Sequence, residues 1–202
     1  MILMGENKQA KVLNKSQVEV VSKFLCDGRN GLRNNLIFLL SVKSGLRAKE
    51  IALLQWRMIV NAEGVIGDVI HLPNSAAKGK SGRTIPINKE VRKYLEEWFR
   101  VSRQFRSFEI YSSYVVRTER SSSTSPQAIV NMFRNWYQKL GLVGCSSHSG
   151  RRTFITNCSR KISTVGGSLR DVQYLAGHSS LQTTQRYIEG DTESQKKVVN
   201  LL

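Results

Sequence analysis

A tyrosine near the carboxyl end follows a Gly-His pair at a spacing that could serve nucleophilic chemistry. In the stretch LAGHSSLQTTQRYIE, His178 lies nine positions before Tyr187. A phenol, with a pKa of about 10, is a weak nucleophile at neutral pH unless a base or a nearby positive charge helps it to ionise. A lone tyrosine is far more often a packing residue than a nucleophile. The spacing alone therefore leaves both interpretations open.

Two of the three histidines lie in short segments flanked by glycine and arginine. His148 is in HSGRR, three positions before Arg151, and His178 is in LAGHSS. Imidazole titrates nearest to neutral pH, which suits proton transfer, although most histidines are surface or hydrogen-bonded core residues. Their clustering near the carboxyl end is a hint of a site.

The charge of the chain points to a polyanionic partner. Thirty-one Lys and Arg against fifteen Asp and Glu give a net charge of +16 over 202 residues. The basic residues are spread along the chain and do not form one amphipathic helix, which favours nucleic acid over an anionic membrane. No apolar run approaches the length of a membrane span, and the apolar patch in MILMGENKQAK is too short for a signal peptide. We expect a soluble protein in the cytoplasm, associated with the nucleoid.

Cysteine usage indicates neither a disulfide framework nor a zinc site. Cys26, Cys145 and Cys158 are odd in number and none belongs to a CxxC pair. We expect reduced thiols.

The elements that must position these residues are mostly helical. A capping box at Ser16 and Glu19 predicts the start of a first helix, and a second apolar stretch ends at Gly45. LRAKEIALLQW predicts a third helix that begins close to Leu46. Arg47 would then lie near a helix N-terminus.

The pattern changes to that of a small sheet between residues 58 and 87. MIV, VIGDVIHL and RTIPI are rich in strand formers and are separated by NAEG and AAKGKSG. They predict an antiparallel sheet whose Lys/Gly-rich tip carries Lys78 and Lys80.

Helical patterns return after the sheet. Asn88 and Ser125, the latter followed by Pro126, predict N-caps of two amphipathic helices. Ser147 is expected to cap a helix that carries HSGRRTFITNCSRK, and LRDVQYLAG predicts one that ends at Gly177. The predicted fold class is α+β, mostly helical with one small antiparallel sheet, in one domain.

Four segments resemble, in order, the catalytic domain of the tyrosine recombinases, the phage integrase family. They are SGLRAKEIALLQW for the first-arginine box, AAKGKSGRTIPI for the lysine hairpin, HSGRRTFIT for the His-x-x-Arg box and LAGHSSLQTTQRY for the Gly-His to Tyr segment. Each box is a weak pattern alone, whereas the ordered set is a strong one. The resemblance implies a catalytic domain over residues 12–189, preceded by a flexible segment 1–11 and followed by a tail 190–202. That tail either docks on a neighbouring protomer or folds back on its own core.

The resemblance implies a role for each matched residue. Tyr187 would attack a scissile DNA phosphate and become joined to its 3′ side, releasing a 5′ hydroxyl, with no metal or nucleotide cofactor. The transition state concentrates negative charge on the nonbridging oxygens, and Arg47 and Arg151 suit its stabilisation because guanidinium is planar and always charged. His148 is the candidate base, and His178 is expected to donate a hydrogen bond to a phosphate oxygen.

The departing 5′ oxygen needs a proton, and a cation at a hairpin tip can supply it. Lys78 is the expected general acid and Lys80 competes for the role; the bland alternative is that both only contact the DNA backbone. Glu50 is expected to orient basic side chains near Arg47.

The implied activity is site-specific DNA recombination. A catalytically silent DNA-binding or regulatory protein of the same fold and a type IB topoisomerase-like activity are the alternatives. The expected partners are double-stranded DNA and further copies of the chain, as a dimer or tetramer on DNA; accessory DNA-bending proteins are left open, and no membrane is expected. Integrases usually carry an additional helical domain before the catalytic one, which here is either removed or naturally absent.

Overall fold

The computed structural model describes residues 9–77, 81–187 and 199–200. Its elements, in chain order, are α1 (Lys15–Cys26), α2 (Gly31–Ser44), α3 (Ala48–Ala52), β1 (Val69–Leu72), β2 (Arg83–Pro86), α4 (Lys89–Ser102), α5 (Pro126–Lys139), α6 (Ser149–Lys161), α7 (Leu169–Ala176) and α8 (Leu181–Gln185). Short 3₁₀ turns follow α3 and α6 at Trp56–Met58 and Ile162–Val165. About half of the chain is helical, and the described part contains one two-stranded antiparallel sheet, which confirms the α+β prediction.

The α2 helix is the centre of the main core. Each residue of its middle segment, 36–40, is fully buried, as expected for a helix that is apolar on all sides. It packs against α1, α4 and α6. A smaller apolar cluster lies between α6 and α7, where Ile155, Val172 and Ala176 are buried and Tyr187 packs against them. The carboxyl-terminal candidate residues therefore rest on this second cluster.

The first helix begins two residues earlier than its predicted capping box implies. Asn14 is the N-cap and forms the capping box with Gln17, whereas Ser16 and Glu19 lie within α1. The prediction of a box at Ser16 and Glu19 was therefore wrong. Asparagine caps a helix as well as serine does, and the two possible boxes overlap in sequence.

The third helix is shorter than predicted. Arg47 is its N-cap and α3 ends at Ala52, because the chain then turns to pair with a distant segment. Gln55 forms an isolated bridge with Tyr114, and Trp56 donates its backbone N–H to Ser113. Tertiary pairing thus overrides the local helical pattern.

The cap of α6 also differs from the prediction. His148, not Ser147, occupies the N-cap position, and it makes no side-chain capping bond. Ser147 lies one position further out and is buried. The caps at Asn88 and Ser125, by contrast, both accept backbone N–H groups as predicted.

The sheet is a hairpin whose inner face belongs to the core. Ile70 pairs with Ile85, and Leu72 pairs with Arg83. MIV contributes no named strand, only an isolated bridge between Val60 and Ile66. Lys78 and Lys80, at the predicted tip, lie outside the described residues. The tail 190–202, for which docking on a neighbouring protomer and folding back were both left open, also lies almost entirely outside them.

The described part of the chain contains no helix with the length and hydropathy needed to cross a bilayer. The three cysteines are free thiols, Cys26 exposed and Cys145 and Cys158 partly buried.

Candidate active site

Arg47 is held at the start of α3 by Glu50. The Arg47 guanidinium donates to Glu50 Oε1 at 2.8 Å, and the Arg47 backbone N–H donates to Glu50 Oε2 at 2.8 Å. The Arg47 side chain is 22% exposed and that of Glu50 is fully buried. The carboxylate thus fixes both the backbone and the head of an arginine that still reaches the surface.

Glu50 has a second basic partner in Arg83, the first residue of β2. Two terminal nitrogens of Arg83 donate to the two carboxylate oxygens at 2.9 and 3.1 Å. Burial opposes ionisation of Glu50, but the hydrogen bonds and charges of Arg83 and then Arg47 outweigh it and keep the Glu50 pKa below its ordinary value. Glu50 is therefore an ionised carboxylate shared by two arginines.

Arg151 lies in the first turn of α6 and bridges two helix ends. Its terminal nitrogens donate to the backbone oxygens of Gly45 at 2.7 Å and Ala176 at 2.5 Å, and the residue is 4% exposed. Burial lowers the Arg151 pKa to about 9, aided by the charge of Arg47, and the group stays protonated at neutral pH. Three of its five N–H donors are not used by these two bonds.

A close crossing of α2 and α6 places Arg151. A Cβ built on Gly150 would collide with the Ser41 side chain, so glycine allows the two helices to touch. This approach brings Arg151 to the carboxyl end of α2, where Gly45 turns with φ 68°.

His178 follows α7 directly after a left-handed turn. Gly177 is the C-cap, with φ 61°, as predicted. The His178 Nδ1 lies 3.0 Å from Thr184 Oγ1, and Thr184 is fully buried. Burial, followed by the charges of Arg151 and Arg47, lowers the His178 pKa to about 4. The ring is neutral at neutral pH, and the tautomer in which Nδ1 accepts from the Thr184 hydroxyl has its proton on Nε2.

Tyr187 lies beside His178 at the edge of the smaller core. The two rings stack with centroids 5.4 Å apart and planes at 25°, and the Arg152 guanidinium carbon is 5.9 Å from the tyrosine ring centroid. The Tyr187 backbone N–H donates to Thr184 at 3.0 Å, and the Thr156 hydroxyl donates to the Tyr187 carbonyl at 3.4 Å. The residue is partly exposed. Its ring is positioned without being enclosed.

The structure brings four predicted site residues together, and a fifth, His148, is outside the cleft lining. The charge of Arg47 helps to lower the pKa of Arg151, and the charges of both arginines help to lower the pKa of His178. Tyr187 stacks on His178. His148 is exposed, one helical turn before Arg151, and its ring makes no hydrogen bond to any described residue. The sixth candidate, the hairpin lysine, is not among the described residues.

An open cleft of about 840 Å³ borders these residues, and its lining among the described residues contains no carboxylate. Its charged and hydrogen-bonding side chains include Arg47, Arg83, Arg170, Gln173, His178 and Thr183. Such a lining suits an anion. No group of three His, Cys, Asp or Glu side chains that could hold a metal ion occurs within the described ranges.

Comparison with known proteins identifies a family for this chain. Residues 11–194 match the phage integrase family. The chain belongs to that family. The tyrosine recombinase XerC of Lactobacillus leichmannii is 30% identical over 186 residues, covering 91% of this chain and 59% of the relative. XerA of Pyrococcus horikoshii is 28% identical over 195 residues, covering 95% of this chain and 62% of the relative. The chain thus spans about six tenths of the length of these relatives.

Solved structures show the same fold. The Tn1549 transposon integrase, in complex with a circular intermediate DNA, superposes with a TM-score of 0.75 at 19% identity, covering 99% of this chain and 68% of that one. A crystal structure of XerA recombinase gives 0.74 at 20% identity, covering 94% and 64%. The architecture described above is that of the phage integrase catalytic domain.

Two residues of this integrase-family site were missed from the sequence. Arg83 was interpreted only as part of a strand, yet alternation along β2 places it on the same inward face as Ile85. A charged residue on a buried face requires a partner, and that signal was available. Thr184 has no comparable signal, because a threonine in a short polar segment is unremarkable until the fold places it against His178.

Proposed function

We propose that this chain is a tyrosine recombinase catalytic domain that cuts and rejoins DNA through a 3′-phosphotyrosyl intermediate. The observation that carries the proposal is the stacking of Tyr187 on His178, a residue that lines the same cleft as Arg47. Membership of the phage integrase family and the recombinase names of the relatives support it.

In the proposed step the Tyr187 oxygen attacks phosphorus and the bond from phosphorus to the 5′ oxygen breaks. Arg47 neutralises a nonbridging oxygen, and Arg151 uses its remaining donors for the same charge. The neutral His178 ring donates from Nε2 to the phosphate, and an approaching phosphate anion raises its pKa toward its ordinary value.

Two proton transfers complete the step. The phenolic proton of Tyr187 passes to a base, for which we propose the exposed His148. The departing 5′ oxygen takes a proton from Lys78 or Lys80. Religation reverses the same events with a 5′ hydroxyl from another strand, so the energy of the phosphodiester bond is conserved.

We further propose that the chain works on double-stranded DNA in the cytoplasm, at the nucleoid, as a dimer or tetramer. The net charge of +16 supports a DNA partner. The Tn1549 integrase neighbour was solved with DNA, and a lambda integrase neighbour is a dimer bound to a COC′ core site.

A nicked suicide duplex tests the function, because the fragment released by cleavage diffuses away and traps the adduct. We expect a protein–DNA adduct that survives SDS, and we expect Tyr187→Phe to abolish it while duplex binding persists. Tyr174→Phe is the matched control, since Tyr174 is an exposed tyrosine of the same cleft. We expect this variant to form the adduct through Tyr187 as the parent does. Binding without any adduct would instead identify a silent DNA-binding protein.

A further inference from the structure

Arg83 is a buried charged residue of the site, and the proposed chemistry does not use it. Its side chain is 1% exposed, so it cannot serve as an open phosphate contact. It forms the two bonds to Glu50, and its Nε donates to the Leu175 carbonyl at 2.8 Å. One guanidinium thus joins β2, the start of α3 and the end of α7.

The carboxyl end of α7 is held by two different arginines. The Leu175 carbonyl accepts from Arg83, and the next carbonyl, that of Ala176, accepts from Arg151 at 2.5 Å. Carbonyls at a helix end lack intrahelical partners, so these bonds replace water with fixed cations. His178 lies two residues after the end of α7, so its position depends on these two bonds.

The same two arginines also reach the Arg47 segment. Arg151 donates to the carbonyl of Gly45, two residues before Arg47. Arg83 donates to Glu50, which accepts from both the guanidinium and the backbone N–H of Arg47. Two parallel bridges therefore span from the end of α7 to the turn that carries Arg47.

We infer that Arg83 is a positioning residue that sets Arg47, through Glu50, and His178, through the end of α7, at a fixed separation for one phosphate. The inference rests on the proposed function and deepens it. Arg83 never touches the DNA; it acts through the two groups that do.

The surroundings of Arg83 fit arginine and exclude lysine as an equivalent. A planar fork reaches two carboxylate oxygens and a carbonyl at once, whereas an ammonium group is a single point of charge. Gly177 completes the fit, because a Cβ there would lie 3.0 Å from Arg83 Cδ and 3.0 Å from its NH1. Gly177 is therefore needed both for its turn and for the room it leaves to Arg83.

Arg83→Lys tests the inference in single-turnover cleavage of the suicide duplex at saturating DNA. We expect the cleavage rate to fall at least about 30-fold, because small displacements of catalytic groups cost about two orders of magnitude. The dissociation constant for the duplex should change less than about threefold, since Arg83 makes no surface contact. A lower cleavage rate with an unchanged dissociation constant distinguishes a positioning role from general unfolding of the protein.

Arg92→Lys is the matched control. Arg92 also donates to two backbone carbonyls, Ile66 at 2.9 Å and Gly67 at 2.8 Å, and to Asp68 at 2.7 Å, but it lies on α4 outside the cleft lining. We expect its cleavage rate to stay within about threefold of the parent.

A double-mutant cycle tests the route through Glu50. In a Glu50→Gln background, Arg83→Lys should lower the rate far less than in the parent, because the shared carboxylate is already lost.

Should Arg83→Lys fail to fold, Gly177→Ala crowds the same guanidinium from the α7 side and should give the same slow cleavage with normal binding.

The outcomes separate the two proposals. A folded Arg83→Lys that cleaves at the parental rate, or effects that simply add in the cycle, would overturn the positioning role. A parent protein that forms no adduct at all would overturn the proposed function instead.

Discussion

The titration of His178 should make folding stability depend on pH in a defined window. The ordinary histidine pKa of 6.5 applies to the unfolded chain, and the folded value is about 4. Above pH 6.5 the ring is neutral in both states. As the pH falls below 6.5 the unfolded chain binds a proton that the folded chain does not, so the free energy of unfolding decreases until the folded pKa is reached.

The size of the effect follows from these values. Between about pH 7 and pH 5 the linkage amounts to roughly 2 kcal/mol for a fully shielded group, and solvent screening of this partly buried ring reduces it to about 1 kcal/mol. Stopping at pH 5 keeps Glu50 ionised, because its contribution is present above its unfolded pKa and lost only at lower pH.

Urea unfolding of the parent and of His178→Gln at both pH values measures the difference. We expect the parent to lose about 1 kcal/mol more than the variant over this window. The three histidines also allow the His178 ring to be assigned and titrated by NMR. Equal losses in both proteins, or a His178 ring that titrates near 6.5, would refute the described burial and charge environment.

Three further predictions concern the neighbours of these residues and the DNA. Thr184→Val should lower cleavage about tenfold at a stability cost of about 1 kcal/mol, because the His178 ring loses its hydroxyl partner; rate and urea curves check this. Gly45→Ala should cost about 2 to 4 kcal/mol in urea unfolding, since the new Cβ meets the Phe154 ring at φ 68°, whereas Gly64→Ala at φ 75° has open space and should cost only about 1. Duplex affinity should be weak and fall at least about a hundredfold from about 50 to 200 mM salt, and a salt-insensitive sub-nanomolar affinity would contradict this.

Local rules predicted those parts of the fold that local chemistry decides. The caps at Asn88 and Ser125, the glycine turn at Gly177 and the hairpin built from VIGDVIHL and RTIPI all follow from neighbouring residue types. The predicted third helix failed for the complementary reason. Its last turn is replaced by pairing with a segment near Tyr114. No local sequence pattern predicts that pairing.

The site divides in the same way. Ordered motifs identified Arg47, Arg151, His178 and Tyr187, because their spacing is a property of the chain. Glu50 was also expected to orient a basic side chain near Arg47. Its second partner, the buried Arg83, was not predicted, since β2 and α3 meet only in the folded molecule. Arg151 also has a structural role besides the phosphate contact predicted for it, because its bonds to Gly45 and Ala176 need the α2–α6 crossing.

The central claim is that the Tyr187 oxygen, and no other nucleophile of the chain, becomes bonded to DNA. Mass spectrometry of peptides from the trapped adduct, after nuclease digestion, tests this directly. The account predicts a nucleotide remnant on the peptide that contains Tyr187, attached through a 3′ phosphate. A remnant on another residue, or a 5′-linked phosphate, would contradict it.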